Sequence, residues 1–132
     1  MRKAHIIRPG QAPEVIELPT TGDPSLFVGR WFITNVELWS DDVIHEFSPA
    51  ELVIETDGLG SMRFIAVECD LDVIDCERDG RPAIEWSWHG WDDGHETSGR
   101  GWASLTDQGT LKGRIYFHRG DASDFAAELA PA

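Results

Sequence analysis

Apolar and polar side chains alternate through most of the chain beyond residue 27, most sharply in Ala83-Ile-Glu-Trp-Ser-Trp-His-Gly-Trp91. Successive side chains of a strand point to opposite faces. Ile84, Trp86 and Trp88 therefore share one face, and Glu85, Ser87 and His89 the other. Four of the six tryptophans lie between Ala83 and Trp102. Such an aromatic wall is either the heart of a core or the lining of a pocket, and the pattern alone leaves both open.

The same period places strands elsewhere. Arg30–Leu38 reads as a first strand, with Phe32, Val36 and Leu38 on one face and Trp31 and Ile33 on the other. Ser40–Phe47 reads as a short helical turn with Ser40 as its cap and acids at its start, stopped by Pro49. A second strand, Glu51–Thr56, ends at the turn Asp57-Gly-Leu-Gly60. Third and fourth strands are expected at Ser61–Glu68 and Asp70–Glu77, with the break near Glu68-Cys-Asp70. Their faces stay open, because Met62, Phe64, Ile65, Ala66 and Val67 are apolar on both sides. After the turn Arg78–Pro82 comes the tryptophan strand, then a polar loop over Asp92–Thr97. Gly99–Leu105 and Thr110–His118 follow as strands six and seven, separated by Thr106–Gly109. In the last segment, Ser123–Leu129, the alternation of Phe125, Ala127 and Leu129 favours a strand over a helix.

Seven or eight short strands joined by tight turns describe an antiparallel meander. No segment supplies the crossover helices a parallel sheet needs. A meander of about eight strands closes into a barrel and so removes its exposed edges; the interior then holds side chains or one small ligand. The expected fold is all-β, one up-and-down barrel over residues 27–132. Residues 1–26, punctuated by Pro9, Pro13, Pro19 and Pro24, read as an extended arm with strand character only at His5–Arg8 and Glu14–Leu18. That arm would lie over the barrel or over a neighbouring subunit.

Composition changes this picture mainly by exclusion. With 11 basic and 24 acidic residues the formal charge is −13. Such a surface repels phosphate backbones and anionic membranes, so neither nucleic acid nor membrane is an expected partner. It suits solubility, or a basic partner. The first ten residues hold no apolar core before Arg8 and Pro9, so no signal peptide is expected, and no run approaches a membrane span. A cytoplasmic protein with reduced thiols at Cys69 and Cys76 follows. A hairpin bringing the two cysteines together is the alternative.

Gly29-Arg30-Trp31, opening the first strand of an eight-stranded meander, resembles the Gly-x-Trp signature of the lipocalin and calycin superfamily. The resemblance implies a calycin-like barrel whose base is closed by Trp31, with an arginine from late in the chain, Arg114 or Arg119, packed across it. The superfamily's Thr-Asp-Tyr motif is not matched: Gln108 follows Thr106-Asp107. More broadly, Gly-Arg-Trp, Trp-Ser-Trp-x-Gly, Ser-Gly-Arg-Gly-Trp and His-x-Gly-Asp-x-Ser-x-Phe are similar to small bacterial proteins of uncharacterised function. That likeness implies a fold and no activity.

Candidate chemistry is sparse. If Trp31 faces inward, strand parity brings Ile33, Asn35, Glu37 and Trp39 to the same side, placing a carboxylate in the interior, where its pKa would be perturbed. The alternative is that Glu37 lies near the strand end, in solvent. His89, His95, Asp92 and Asp93 could hold a divalent ion, although they match no established metal signature. His118 and Asp121, with Ser123 or Ser87, could form a nucleophilic set but lack a Gly-x-Ser-x-Gly elbow. Ser98-Gly-Arg-Gly101 could hold an anion on backbone amides with Arg100 adding charge, but a strand follows it where a phosphate loop wants a helix N-terminus. The glycines are therefore expected to allow a bulge or close packing beneath Trp102. No metal, cofactor or catalytic residue is therefore assigned. The leading expectation is a non-enzymatic binder of a small, partly apolar ligand, with Trp31, Trp86, Trp88 and Trp102 as surface and Glu37 and Arg114 as polar discriminators. The alternatives are a protein-interaction module, as a homodimer or with a basic partner, and a cofactor-independent enzyme.

Overall fold

Ten strands and one short helix make up the residues that the computed structural model describes, which are 3–6, 14–17 and 26–131. Within the expected arm, β1 (Lys3–Ile6) and β2 (Glu14–Glu17) pair antiparallel. β1 starts two residues before the expected His5–Arg8, and the rest of the arm, 1–2, 7–13 and 18–25, lies outside the described residues. The other strands are β3 (Gly29–Val36), β4 (Glu51–Ile54), β5 (Leu59–Phe64), β6 (Val67–Arg78), β7 (Arg81–Asp92), β8 (His95–Leu105), β9 (Leu111–Phe117) and β10 (Ala122–Leu129). They close into one antiparallel up-and-down barrel in which each strand pairs with the next and β10 returns to β3. The all-β closed barrel is the architecture the meander pattern predicts, and it is compatible with a calycin-like fold.

Hairpin chemistry explains why the strands run longer than the pattern suggests. The polar stretch expected as a loop over Asp92–Thr97 is a two-residue turn, Asp93-Gly94, with Asp92 paired to His95 on either side. Asp93 and Gly94 both take positive φ, at 50° and 80°. That is the backbone an Asp-Gly hairpin favours, because its twist matches the strands it joins. Asp79-Gly80 does the same between β6 and β7. The break expected near Glu68–Asp70 lies instead at Ile65-Ala66, which resolves the apolar run. Met62 and Phe64 face inward from β5, and Val67, Cys69, Leu71 and Val73 from β6. Cys69 and Cys76 therefore share one strand at odd separation and point to opposite faces; both are free thiols. The bridged alternative is excluded.

A second correction concerns β3. Trp31 and Ile33 face inward as expected, but Ala127 pairs with Ile33 and Ala126 with Asn35, leaving Thr34 as an unpaired extra residue. Such a bulge shifts the phase of every side chain beyond it. Val36 turns inward with no accessible surface, and Asn35 and Glu37 are exposed. Glu37 is thus on the outside at the end of β3, and the expected interior carboxylate from this strand is not there.

The interior is packed by side chains from all eight strands. A chamber able to take a ligand would leave its walls accessible to water. The inward indoles of Trp31, Trp86 and Trp88 each keep only 3% of their surface, and Ile33, Leu52, Val73, Ile84 and Leu111 keep none. Both ends are stoppered. At the end where the chain enters, Phe27 is buried and its carbonyl accepts the Trp31 indole N–H at 2.9 Å. At the other end lies α1 (Asp41–Ile44), whose Ile44 is fully buried and accepts a backbone bond from Ile65. Ser40 precedes this helix but makes no side-chain cap. At this end Phe117 meets Trp39, Phe64 and Trp88 edge-to-face, the Trp88 centroid 5.2 Å away, while Trp39 and Phe64 lie tilted against each other. Neither Arg114 nor Arg119 packs across Trp31. Arg114 faces outward on β9, and Arg119 sits in the β9–β10 turn at the opposite end of the barrel.

Outward faces carry the charge, as at Glu68, Asp70 and Asp72 of β6. Apolar inside and charged outside is the reverse of a barrel that faces lipid. No helix among the described residues is long and apolar enough to cross a membrane.

Candidate binding groove on the outer face

The tryptophan strand divides its side chains as its alternation requires. Ile84, Trp86 and Trp88 are buried; Glu85, Ser87 and His89 are exposed. The room for the two indoles comes from the next strand. Trp86 pairs with Gly101 and Trp88 with Gly99. A Cβ on Gly101 would lie 2.6 Å from the Trp86 ring, and one on Gly99 would lie 2.7 Å from the Trp88 ring. The glycines of Ser98-Gly-Arg-Gly101 therefore make space for Trp86 and Trp88, not for Trp102 as the sequence suggests. Neither of these buried indole N–H groups has a hydrogen-bond partner among the described residues.

On the outside of the same strands the register builds a grid. One row runs Asp72, Ser87, Arg100, Tyr116 from β6 to β9. The next runs Ile74, Glu85, Trp102, Arg114 and continues to Asp124 on β10. Ser87 is the small member, and around it opens a groove of about 530 Å³. Its walls are Asp72, Ile74 and Arg78 from β6, Glu85 from β7, Arg100 and Trp102 from β8, and Tyr116 from β9. Trp86 and Gly101, whose side-chain positions point inward, border it through their main chain.

Four other arginines of the barrel engage carboxylates, although Arg30 and Arg114 also lie over rings, Phe32 at 5.0 Å and Tyr116 at 5.6 Å. Arg30 and Arg63 both contact Glu51, Arg81 contacts Asp107 at 2.8 Å, and Arg114 contacts Asp124 at 2.7 Å. The hydrogen bond from Arg114 to Asp124 holds that guanidinium above its ordinary pKa. Arg78 and Arg100 make no ion pair among the described residues. They lie instead on aromatic rings, Arg78 at 3.9 Å from the centroid of Trp102 and Arg100 at 4.8 Å from that of Tyr116. A ring face leaves the in-plane N–H donors of a guanidinium open. The indole nitrogen of Trp102 is itself buried and has no hydrogen-bond partner among the described residues. Cys76 follows Ile74 on the same face, its thiol pushed up by burial and then by the Glu85 carboxylate.

Of the residues singled out in the sequence, the structure brings Trp102 and Arg114 together as cross-strand partners on the outer face. It places Trp31, Trp86 and Trp88 in the packed interior and Glu37 at the exposed end of β3. Sequence reasoning missed Arg78 and Tyr116, and weighed Arg100 only as added charge on a Ser98–Gly101 anion loop. Their signal was the outward parity of Arg100 with Trp102 on one strand. A second outer groove, bordered by Glu51, Arg63, Glu68, Asp70, His89 and Trp91, has its arginine already held by Glu51.

The remaining chemical candidates are engaged elsewhere. His89 Nε2 lies 2.7 Å from Glu96 on the surface, and no three His, Cys, Asp or Glu side chains among the described residues are grouped to hold a metal. Ser123 Oγ accepts from Leu38 N–H and donates to the Asp124 carbonyl, which ties β10 to the end of β3. Comparison with family models, with curated proteins and with solved structures finds no match to this chain.

Proposed function

We propose that this protein is a non-enzymatic binder of a small, partly apolar ligand, held in the outer groove over β6–β9. The observation that carries the reading is the pair Arg78 and Arg100, two cations set on aromatic rings with no carboxylate engaged among the described residues. In a chain of charge −13, surface arginines ordinarily find acids, and four others here do so. Ile74 and Trp102 supply apolar wall, and the groove has the volume of a small-molecule site. Rigid strands position each wall, which favours binding over a site that must rearrange. The reading also includes a calycin relative working in the cytoplasm, supported by the barrel topology, by Gly29-Arg30-Trp31 and by two unbridged thiols.

Native mass spectrometry of the freshly purified protein, before and after denaturation, tests it. A small molecule bound to the native chain, and missing from Trp102→Ala and Arg100→Ala variants, is the expected result. A ligand kept by both variants would move the site away from this groove. An apo mass, with 2-naphthol leaving the Trp102 and Ser87 amide resonances unmoved, overturns the proposal.

A further inference from the structure

We infer that the ligand carries an anionic group, carboxylate or phosphate, seated among Arg100, Arg119 and His118 while its apolar part lies against Trp102. This rests on the binding reading above and adds the chemical class. The groove does not end at Tyr116. A second depression of about 470 Å³ shares Arg100 and Tyr116 with it and continues past Ser98 to His118 and Arg119 in the β9–β10 turn. The two adjoin at Arg100 and Tyr116 on the outer face, and we treat them as one trough.

Its two ends differ in charge. The first holds Asp72 and Glu85 beside Arg78 and Arg100. The second is bordered by two arginines and a histidine and by no carboxylate, although acids outnumber bases 24 to 11 in the chain. Asp121, two residues from Arg119, does not border it, and its main-chain carbonyl accepts the Phe117 N–H at 2.8 Å, closing the turn. A backbone bond from His118 N–H to the Ser98 carbonyl, 2.8 Å, fixes the turn against β8.

The backbone at Arg119 adds a separate observation. Three residues that precede a glycine in hairpin turns take left-handed φ: Asp79 at 53°, Asp93 at 50° and Arg119 at 57°. Aspartate tolerates that region through local hydrogen bonding, whereas arginine has no such compensation. The third hairpin therefore holds a long cation where the other two hold the easier residue. Guanidinium pairs recognise carboxylates and phosphates through paired N–H donors. The acidic remainder of the surface would repel a polyanion such as nucleic acid, so a small anion is the fitting occupant.

Three probes with one ring system separate the two readings: 2-naphthol, 2-naphthoate and 2-naphthyl phosphate, titrated into the full chain at fixed ionic strength by calorimetry. The anionic probes are expected to bind roughly ten-fold more tightly than 2-naphthol, as charge-assisted hydrogen bonds to a guanidinium imply. Whichever anion binds more tightly distinguishes carboxylate from phosphate. Arg119→Gln removes that advantage and leaves 2-naphthol unchanged. Arg119→Gly, which suits the left-handed backbone, must do the same while folding at least as well. Arg81→Gln, an exposed arginine outside the trough, changes none of the three. Equal affinity for all three probes, or anion preference surviving both Arg119 variants, overturns the anion seat and leaves the groove. Failure of every probe to bind removes the groove reading along with it.

Discussion

Trp86 and Trp102 stand almost side by side in the sheet, yet the barrel wall separates them. Trp86 lies inside over Gly101, edge-to-face with Phe125 at 6.2 Å; Trp102, the residue after that glycine, lies outside under Arg78. Inside, close packing leaves nothing for another molecule to touch, so the indole contributes cohesion. Outside, the same side chain meets water and a cation whose donors remain open, so it contributes recognition. Aromatic content alone carries neither meaning. The face and the neighbours decide.

The contrast predicts very different responses to the same truncation. Trp86→Ala deletes a fully packed ring with no nearby solvent to fill the gap, and should lower stability by about 3–5 kcal/mol. Urea unfolding followed by near-ultraviolet circular dichroism would measure it. A loss below about 1 kcal/mol would mean that the interior relaxes or holds water, and would return the inside of the barrel to consideration as a binding chamber.

The dry interior also has a signature in pH. Burial, reinforced by Asp70, pushes the inward thiol of Cys69 up to about 12 from 9.0. The folded state therefore holds this proton more tightly than the unfolded chain does. Its contribution is complete below pH 9 and is lost as pH rises toward 12, with a limiting slope of about 1.4 kcal/mol per unit. Stability measured over that range should fall more steeply in the native sequence than in Cys69→Ala. Equal slopes would show that the thiol is hydrated. The outward Cys76 shifts in the same direction, so it adds to the slope in both proteins.

The barrel was legible because period-2 alternation and Asp-Gly turns act locally, within a few residues of each other. Ile84, Trp86 and Trp88 were placed correctly for that reason. Legibility stopped where one extra residue changed the phase. The bulge at Thr34 exists only because β10 pairs with β3 across some ninety positions of sequence, and nothing local to Phe32–Val36 announces it. Glu37 was misplaced as a result. The groove failed for a related reason. Arg78, Arg100 and Tyr116 come from three strands, and only the cross-strand register makes them neighbours. The glycines at 99 and 101 show the same limit: their purpose became visible once Trp88 and Trp86 were known to lie opposite them.

That glycine pairing can be tested directly. Gly101→Ala puts a methyl group 2.6 Å from the Trp86 ring, and a rigid bicyclic ring cannot swing aside. Overpacking of this kind should cost about 1–3 kcal/mol. Pairing it with Trp86→Phe should recover part of the loss, because the smaller ring vacates the space. Double-mutant additivity would break the assignment of Gly101 to Trp86.

The outer face should respond least in stability and most in binding. Arg78→Ala removes a cation from the exposed side of Trp102, and an exposed cation–π contact contributes only about 0.5–1 kcal/mol. No carboxylate is left unpaired by the change, since Arg78 engages none, so no further penalty accumulates. Thermal unfolding should shift by a few degrees at most, while 2-naphthoate binding weakens several-fold. The same ring uncovered by Arg78→Ala gains water, which should move the Trp102 contribution to fluorescence toward longer wavelength. A stability loss as large as that of Trp86→Ala would mean that Arg78 and Trp102 belong to the core after all. The outer aromatics would then be part of the wall that holds the barrel shut, and the line between packing and recognition would have to be drawn further out, at Tyr116 and Arg119.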